Sequence, residues 1–490
     1  MERSIFLIFP NQLFELAPRI QEVTEVWLLE DELFFNQYHF HQKKLAFHRA
    51  SMQYYAEKLR SENKIVRYWK HVGLQLEQVF HEMSQQGAAI HCYDPVDYLL
   101  ERRLKRYAQK FGLTLHFHEN PGFYNSRQTN ERLVPTTTKR YFLADFYKKQ
   151  RLQLGILLDP DASPIGGRWS FDSENRKALP RGLALPVFPV YQSTWSINAE
   201  QEIAQEFPEN PGDPSLTAYP VTHAEAKQAL DFFIDHCLQD FGPYQDAFTN
   251  QTTYVYHSNL STAINAGLLS PQVVVARVVE AYQKGKVTIE SAEGIIRQII
   301  GWREFVRLVY ESVGVEQRTK NFMSHQRPLH WEQLKQTTLF QDLGQKIDHF
   351  AYAHHIERLM LLGNFFFLSE FHPDAIYEFF MANFMDAYDW VMVPNVYGMS
   401  QFADGGLMTT KPYFSSSNYL KKQGLKFLSE DAVLFDALFW HFVDKHQDYL
   451  RKNMRTAQMV ANWNRITPEK KAAHLERAAL YFQELEKLTA

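Results

Sequence analysis

The sequence predicts an α/β domain with a parallel, doubly wound sheet at the N-terminus and an all-α domain in the C-terminal half. Up to about residue 117, short apolar runs of buried-strand type alternate with helical stretches across short links. From Thr222 onward almost every segment has helical period. The stretch between these parts is rich in Pro, Gly and Asp, which indicates a long surface connector. We therefore expect an α/β domain at 1–130, a connector at 131–220 and a helical domain at 221–490.

Five strands and the helices between them make up the predicted first domain. The strands are expected at residues 4–9, 25–29, 64–69, 88–93 and 113–117, and the helices at about 41–61, 74–86 and 97–111. The sequence FPNQL follows the first strand in place of a GxGxxG turn, so a standard dinucleotide site is not supported. Asn11, Glu30 and Asp31 follow strand ends, where such sheets bind ligands. They serve equally well as loop residues and strand caps.

The helical half contains the stretch of greatest chemical interest. Helices are predicted at 222–240, 260–268, 270–283, 287–314, 331–368, 373–390, 430–451 and 467–488. Residues 351–371 read as one long buried helix that carries His354, His355 and Arg358. Since His355 and Arg358 are three apart, we expect them to share a helix face. A buried arginine needs an anion, and Asp386, near the end of the next helix, is the obvious candidate.

Composition excludes several classes of protein. The chain has 490 residues and a net charge of -4, so any nucleic-acid site must be a local basic patch. Two cysteines exclude a four-cysteine zinc or iron–sulfur site. The N-terminus lacks the features of a signal peptide, and no apolar run is long enough to span a bilayer. We therefore expect a cytoplasmic protein without a membrane partner. Aromatic residues, at 15%, suit a planar ligand, a stacking surface or simply a large aromatic core.

Two helical motifs allow a functional and a structural interpretation. The segment YHSNLS (256–261) precedes a helix, where hydroxyl groups hold a phosphate or act as plain caps. RQIIGWREFVR puts Gln298, Trp302 and Phe305 on about one helical face, which is also typical of a core helix. Trp331 is a core side chain or a redox relay.

Residues 411–422, KPYFSSSNYLKK, interleave aromatics, small hydroxyls and lysines, which together supply stacking faces and phosphate donors. Nucleic-acid contact and a solvated loop are the two interpretations. Arg451, Lys452, Asn453 and Arg455 form a second basic cluster, whereas the run 102–106 reads as an exposed helix face. No histidine group has a spacing that predicts a metal site.

Several of these motifs carry a family resemblance. HSNLSTAINAGLL resembles the flavin-phosphate segment of photolyases and cryptochromes, and HHIER matches the HHxxR of (6-4) photolyases. GGRWSFDSENR, RQIIGWREF, AYAHHIERLM, NVYGMSQFADGG and TKPY with the later NY resemble the bacterial branch that repairs (6-4) photoproducts, in the right order over nearly the whole chain. The resemblance implies a Rossmann-like antenna-type domain and a helical domain that binds FAD and UV-damaged double-stranded DNA. It also implies a monomeric lyase in which excited reduced FAD passes an electron to a flipped-out lesion.

The resemblance assigns roles to individual residues. The FAD-binding residues it implies are His257, Ser258, Asn259, Leu260, Ser261, Gln298, Trp302, Arg303, His355, Arg358, Asp386 and Asn395. His355 matches the proton donor to the photoproduct, a role that suits imidazole, and Tyr413 and Tyr419 match the lesion pocket. The residues implied to bind DNA are Lys411, Tyr413, Tyr419, Arg451, Asn453 and Arg455. Trp331 and Trp390 are the candidates for electron transfer.

The chain departs from the branch at several positions. Leu339 replaces the first of four cysteines, and the other three are missing, so we expect no iron–sulfur cluster. Phe379 and Phe380 replace the Trp–Tyr pair used for photoreduction, and Met392 replaces an acid near the flavin. In the N-terminal domain Asn11 and Phe34 stand where the branch has acids that hold a lumazine antenna, while Glu30 is retained. The presence and identity of an antenna stay open.

Other functions remain as alternatives to (6-4) repair. The missing relay and Met392 favour a cryptochrome-type photoreceptor, whereas His355 and the lesion-pocket tyrosines favour an enzyme. A photolyase for cyclobutane pyrimidine dimers is the alternative within the enzyme class. A light-independent flavoprotein or DNA-binding scaffold is a weaker third.

Overall fold

The N-terminal part is a parallel sheet, as predicted. The computed structural model describes residues 3–15, 17–135, 138–180, 182–249 and 252–489. In it the strands are β1 Ser4–Ile8, β2 Glu25–Leu29, β3 Ile65–Trp69, β4 Ala89–Tyr93 and β5 Leu115–His118. They pair in parallel in the order β3-β2-β1-β4-β5. β1 and β2 are almost wholly buried because helices cover both faces, which explains their unbroken apolar sequences.

Helices link and flank the strands near the expected positions. Those of the first part are Pro18–Gln21, Glu32–Phe35, Gln42–Ser61, Leu76–Gln85, Tyr98–Lys110 and Arg127–Leu133. The longest, Gln42–Ser61, is buried along much of its length because the helical domain and the connector both pack against it. This helix therefore joins the α/β domain to the rest of the molecule.

The connector is more ordered than its composition predicts. Helix Leu143–Leu154 lies within the basic stretch KRYFLADFYKKQRLQL (139–154), which the sequence predicts to be helical. The connector also contains helix Thr194–Glu206 and the short turns Ile165–Gly167 and Asp172–Glu174. Helix Thr194–Glu206 was not predicted, although Ser193 closes a capping box at its start. It packs on helix Gln42–Ser61, where the buried Arg49 joins Glu206 to Glu30.

The C-terminal half is helical, as predicted. Its helices are His223–Phe232, Phe233–Cys237, Leu238–Phe241, Ser261–Ala266, Pro271–Gln283, Ile289–Ile296, Arg297–Arg303, Glu304–Arg318, Trp331–Leu334, Gln341–Phe350, Glu357–Gly363, Asn364–Leu368, Pro373–Asn383, Asp389–Val393, Pro394–Ser400, Ser417–Lys422, Ser429–Lys445, Gln447–Arg451, Met454–Asn464 and Pro468–Thr489. None of the helices among the described residues is long and apolar enough to cross a membrane.

Two predicted helices are broken where the site lies. The prediction of one helix over 351–371 was wrong at its start, because Ala351 (φ 47°) ends the preceding helix in the left-handed region. Helical structure resumes only at His355. The predicted helix 373–390 ends at Asn383, and the next begins at Asp389. Asp386 therefore lies in a loop, which we call the Asp386 loop (residues 384–388).

Candidate functional site

A cavity of about 230 Å³ in the helical domain collects most of the residues that the sequence singled out. The predicted residues that line it are Ser258, Leu260, Ser261, Gln298, Trp302, Arg303, Arg358, Asp386, Trp390 and Asn395. Met392 lines it too. His257, Asn259 and His355 do not, although Asn259 borders a much smaller pocket that shares Ser258.

An ion pair lies at the wall of this cavity. Arg358 Nη1 donates to Asp386 Oδ1 over 2.8 Å, and Ser261 donates to Asp386 Oδ2 over 3.0 Å. Burial by itself would raise the pKa of the Asp386 carboxyl, but the Arg358 charge and these hydrogen bonds outweigh burial and hold the pKa below its ordinary value. The carboxylate is therefore ionised and fixed in direction.

Widened helical turns deliver the polar groups to the cavity. The segments Arg297–Arg303, Glu357–Gly363 and Pro394–Ser400 are π-helical, and each contributes at least one lining residue. Turns of this kind re-aim side chains and are frequent at functional sites. They also shift the periodicity: Arg358 faces the cavity, whereas His355 lies elsewhere, so the expectation of a shared face fails.

A second cation, Arg303, lines the cavity, and its Nη1 lies 3.9 Å from the buried carboxylate of Glu304. Arg303 donates to Gly122 O over 2.6 Å, and its guanidinium lies 4.0 Å from the centre of the Phe123 ring and 5.0 Å from that of Trp390. Burial lowers the pKa of Arg303 to about 10, so the group stays charged at neutral pH. The cavity therefore presents fixed positive charge beside aromatic rings.

The start of helix Ser261–Ala266 also faces the cavity. No side chain caps this helix: Ser261 donates to Asp386 instead, and Ser258 accepts a hydrogen bond from Leu260 N over 3.4 Å. The plain-cap interpretation of the serines therefore does not hold at the helix itself. The first N–H groups of an α-helix have no partner within the helix, and here no side chain supplies one.

Three adjacent histidines have different surroundings. His257 Nε2 and His354 Nε2 each lie 3.0 Å from Gln245 O, so both imidazoles are held as Nε2–H donors. Burial lowers the pKa of His257 to about 4 and that of His354 well below its ordinary value. Both imidazoles are therefore neutral at pH 7 and are anchored by Gln245 O. The side chain of His355 is instead 51% exposed, and its Nε2 lies 3.2 Å from Asp246 Oδ1.

His355 lies in a charged cluster on the surface. Arg176 Nε lies 3.8 Å from Asp246 Oδ2, and Arg176 also pairs with Asp172. Burial raises the pKa of the Tyr413 and Tyr419 phenols, and the Arg176 charge acts on both. Asp246 therefore lies between His355 and Arg176, and each of its carboxylate oxygens faces one of them.

Two residues of the predicted DNA-binding set contact Thr410. Asn453 donates to Thr410 O over 2.8 Å, and Arg455 donates to Thr410 Oγ1 over 3.1 Å. Burial lowers the pKa of Lys411, and the charge of Arg455 adds to this effect. Arg451 is exposed on the neighbouring helix and donates to Gln447. These contacts hold the second cluster beside the segment that carries Tyr413.

Aromatic rings connect the cavity to Trp331. The Arg358 guanidinium lies 4.3 Å from the centre of the Phe384 ring. Ring centres then follow at 5.3 Å to Phe380, 5.2 Å to Phe379 and 4.8 Å to Trp331, which is 8% exposed. Between the cavity and Trp331 the connection consists of phenylalanines alone.

Two larger cavities lie elsewhere. Leu339 is among the residues that line one, of about 570 Å³, and Trp331 and Phe379 are among those that line the other, of about 540 Å³. The 230 Å³ cavity remains the candidate site because the fixed charges and uncapped helix converge there. Within the described residues no group of three His, Cys, Asp or Glu side chains is arranged to hold a metal ion, and both cysteines are buried and free.

Glu30, the acid retained in the N-terminal domain, is hydrogen-bonded by groups of the protein itself. Arg49, Tyr68 and the His71 backbone N–H donate to Glu30. Burial works to raise the pKa of Glu30, but hydrogen bonds from His71 and Arg49 hold it at about 2. Asp31 caps a helix and pairs with Arg103. The side-chain oxygen of Asn11 is buried without a hydrogen-bond partner.

Sequence reasoning missed three residues of the site. Asn265 lines the cavity, donates to Asp386 O over 3.1 Å and accepts from Arg303 over 3.4 Å. It follows Ser261 by one helical turn, which is a signal that could have found it. Arg176 and Asp246 meet from two distant segments, and no spacing in the sequence connects them.

Comparisons with known proteins identify relatives of this chain. The sequence model of a family described as deoxyribodipyrimidine photo-lyase-related protein matches residues 6–219. A (6-4) photolyase from Agrobacterium fabrum is 33% identical over 468 residues, which cover 91% of this chain and 92% of that protein.

Two solved structures share the fold. A bacterial class III photolyase from Agrobacterium tumefaciens matches with a TM-score of 0.60 at 15% identity, covering 99% of this chain and 98% of that one. A cryptochrome from Synechocystis sp. PCC6803 matches with a TM-score of 0.57 at 14% identity, covering 91% and 89%. At these identities the structures show a common fold alone.

Proposed function

Since the chain belongs to the cryptochrome/photolyase family, in its bacterial (6-4) photolyase-related branch but without that branch's iron–sulfur cysteines, we propose that it is a light-dependent DNA photolyase acting on (6-4) pyrimidine photoproducts. One observation carries the proposal. A single turn of chain directs Arg358 into the cavity and His355 outward to Asp246. The same turn thus links a cofactor pocket to an accessible imidazole.

The donors of the cavity fit FAD. The uncapped helix at Ser261 and the buried cation Arg303 suit a diphosphate, and the Arg358–Asp386 pair supplies a fixed donor and acceptor for a flavin ring. Gln298, Trp302 and Asn395 complete the lining. Bound and reduced, FAD would supply the photoexcited electron for repair. The protein's own part is to bind it, orient it and keep water from it.

The surface beside His355 suits a flipped-out lesion. Tyr413 and Tyr419 offer faces for stacking, and His355 is accessible to hydrogen-bond a photoproduct and give it a proton. Asp246 accepts the histidine's Nε2–H and fixes the ring's direction. We propose that Lys411, Arg451, Asn453 and Arg455 hold the phosphates of the duplex, which explains local basic charge on an acidic chain.

We propose that photoreduction in this chain is inefficient. Phenylalanine is a poor hole carrier, and two phenylalanines separate Trp331 from Phe384 at the cavity. Trp390 lines the cavity directly but packs against Phe123 and Arg303. We propose no binding residue for an antenna chromophore in residues 1–130. Glu30, the retained acid, already accepts hydrogen bonds from Arg49, Tyr68 and His71.

A cryptochrome-type photoreceptor is the second candidate, and the phenylalanine pair favours it. The test is the affinity of the FAD-loaded protein for three matched duplexes: undamaged, with one (6-4) lesion, or with one cyclobutane dimer. We expect selective binding of the (6-4) duplex. Equal affinity for all three would support the receptor, and preference for the cyclobutane duplex would support a dimer photolyase.

A further inference from the structure

A lysine of the α/β domain lies beneath the Asp386 loop. Lys44, on helix Gln42–Ser61, extends across the domain boundary and is buried. Its Nζ donates to Met381 O over 2.8 Å and to Ala387 O over 2.7 Å. The two carbonyls lie on either side of Asp386, one in the last turn of the preceding helix and one inside the loop. Lys44 therefore joins the end of helix Pro373–Asn383 to the Asp386 loop from the side of the α/β domain.

One of the two hydrogen bonds satisfies a group that helix geometry leaves open, because Met381 O lies in the last turn of helix Pro373–Asn383. Carbonyls in the last turn of a helix lack partners in that helix, and cations there are favourable. The ammonium also lies 4.9 Å from the centre of the Phe40 ring and 5.7 Å from that of Tyr388. Burial lowers the pKa of Lys44 to about 7, and the Asp386 carboxylate opposes this effect. The Lys44 ammonium and the Asp386 carboxylate therefore attract each other.

We propose that Lys44 is a positioning residue for the flavin site: it fixes the Asp386 loop so that the carboxylate stays in register with Arg358 and Ser261. This inference rests on the proposed function, since it assumes that the Asp386 side of the cavity receives FAD. The α/β domain then contributes to cofactor affinity without contacting the cofactor. Asn265, which donates to Asp386 O, holds the same loop from the cavity side.

The neighbouring residue supplies a matched control. Lys43 is on the same helix and is also buried, but its ammonium contacts Asp213 and Ser215 O of the connector. Among the described residues, the hydrogen bonds of the Lys43 ammonium go to the connector alone. Loss of either lysine removes one buried cation and two hydrogen bonds. Substitution of Lys44 removes contacts to the Asp386 loop and the helix before it, whereas substitution of Lys43 removes contacts to the connector.

The experiment is titration of FAD into folded apoprotein, far below the melting temperature, for wild type, Lys44→Met, Lys43→Met and Lys44→Arg. Far-UV circular dichroism and thermal melting record folding separately. We expect Lys43→Met to lower the melting temperature and leave FAD affinity unchanged. Lys44→Met is expected to weaken FAD binding by about tenfold or more, as loss of supporting contacts behind a ligand-binding group does. Lys44→Arg, which keeps the charge and donors, is expected to restore most of the affinity.

The outcomes separate the two proposals. Equal FAD affinity in Lys44→Met and wild type overturns the role of Lys44. Equal weakening in both lysine variants overturns it too, because the effect is then general to buried cations of this helix. If wild-type protein binds no FAD, the proposed function fails, and the role of Lys44 falls with it. If Lys44→Met does not fold, Lys44→Gln, which removes the charge but keeps an N–H donor, takes its place in the same titration, and wild-type FAD affinity in that variant overturns the role of Lys44.

Discussion

Arg358 and Asp386 form an ion pair across a cavity wall, with Nη1 and Oδ1 2.8 Å apart and the second carboxylate oxygen bonded to Ser261. The arginine comes from a widened helical turn and the aspartate from a loop. The pair joins three chain segments at the point where the fold leaves a cavity.

Replacing Asp386 with alanine should abolish FAD binding and destabilise the protein. The change leaves the Arg358 charge buried without its carboxylate, which costs about 3–5 kcal/mol. Flavin absorbance of the purified variant and its urea unfolding curve measure the two effects. Asp231→Asn, at an exposed ion pair with Arg277, is the control and should change neither. Full flavin occupancy in Asp386→Ala would refute the role of the pair.

Replacing His355 with alanine should leave FAD content intact and abolish (6-4) repair. His355 does not line the cavity, so its loss removes a proton donor and leaves the cofactor site unchanged. His349→Ala, at another exposed histidine, should repair at the wild-type rate. Repair by His355→Ala at the wild-type rate would remove this residue from the mechanism.

Rebuilding the aromatic pair should accelerate photoreduction. Phe379→Trp with Phe380→Tyr places redox-active rings between Phe384 and Trp331. We expect faster flavin reduction under blue light than in wild type, at a packing cost of about 1–3 kcal/mol. Adding Trp331→Phe should cancel the gain, while Trp331→Phe alone should have little effect. If Trp331→Phe alone slows flavin reduction relative to wild type, electrons already pass from Trp331 through the phenylalanines, and the account of an interrupted route is wrong.

Arg455→Gln should weaken DNA binding equally for damaged and undamaged duplexes. If the guanidinium neutralises one phosphate, the slope of log affinity against log salt should fall by about 1. Lys284→Gln, at an exposed pair with Glu280, is the control. An unchanged salt slope in Arg455→Gln would place the DNA elsewhere.

Acid should remove a contribution to stability that comes from Glu30. Its pKa is about 2 in the folded protein and about 4.5 in the unfolded chain, so the contribution is complete above pH about 4.5 and is lost as pH falls through 2. The contribution is on the order of 3 kcal/mol. Urea unfolding of wild type and Glu30→Gln should therefore converge as the pH falls. A difference that does not change with pH would contradict this ionisation.

The sequence was most informative where a pattern is local. Strands such as 25–29 were predicted correctly because unbroken apolar runs are typical of a parallel sheet covered on both faces. The pairing of Arg358 with Asp386 was predicted from the cost of an unpaired buried charge, and the structure shows that contact.

Other features depend on distant segments or on unusual turns. The α-helical period cannot reveal that residues 357–363 form wider turns, so His355 was placed on the wrong side. Asp246 and Lys44 act through tertiary contacts with residues more than a hundred positions away, and no local spacing announces such contacts. The Ala351 turn likewise depends on its surroundings: Met385 N donates to its carbonyl.

Repair of a synthetic duplex with one (6-4) T–T lesion, in blue light and in the dark, tests the central claim most directly. The flavin is reduced chemically beforehand, so that the interrupted aromatic route cannot mask activity. We predict that normal thymines return in the light and that the lesion persists in the dark. Persistence of the lesion in the light, with FAD bound and fully reduced, would contradict the account.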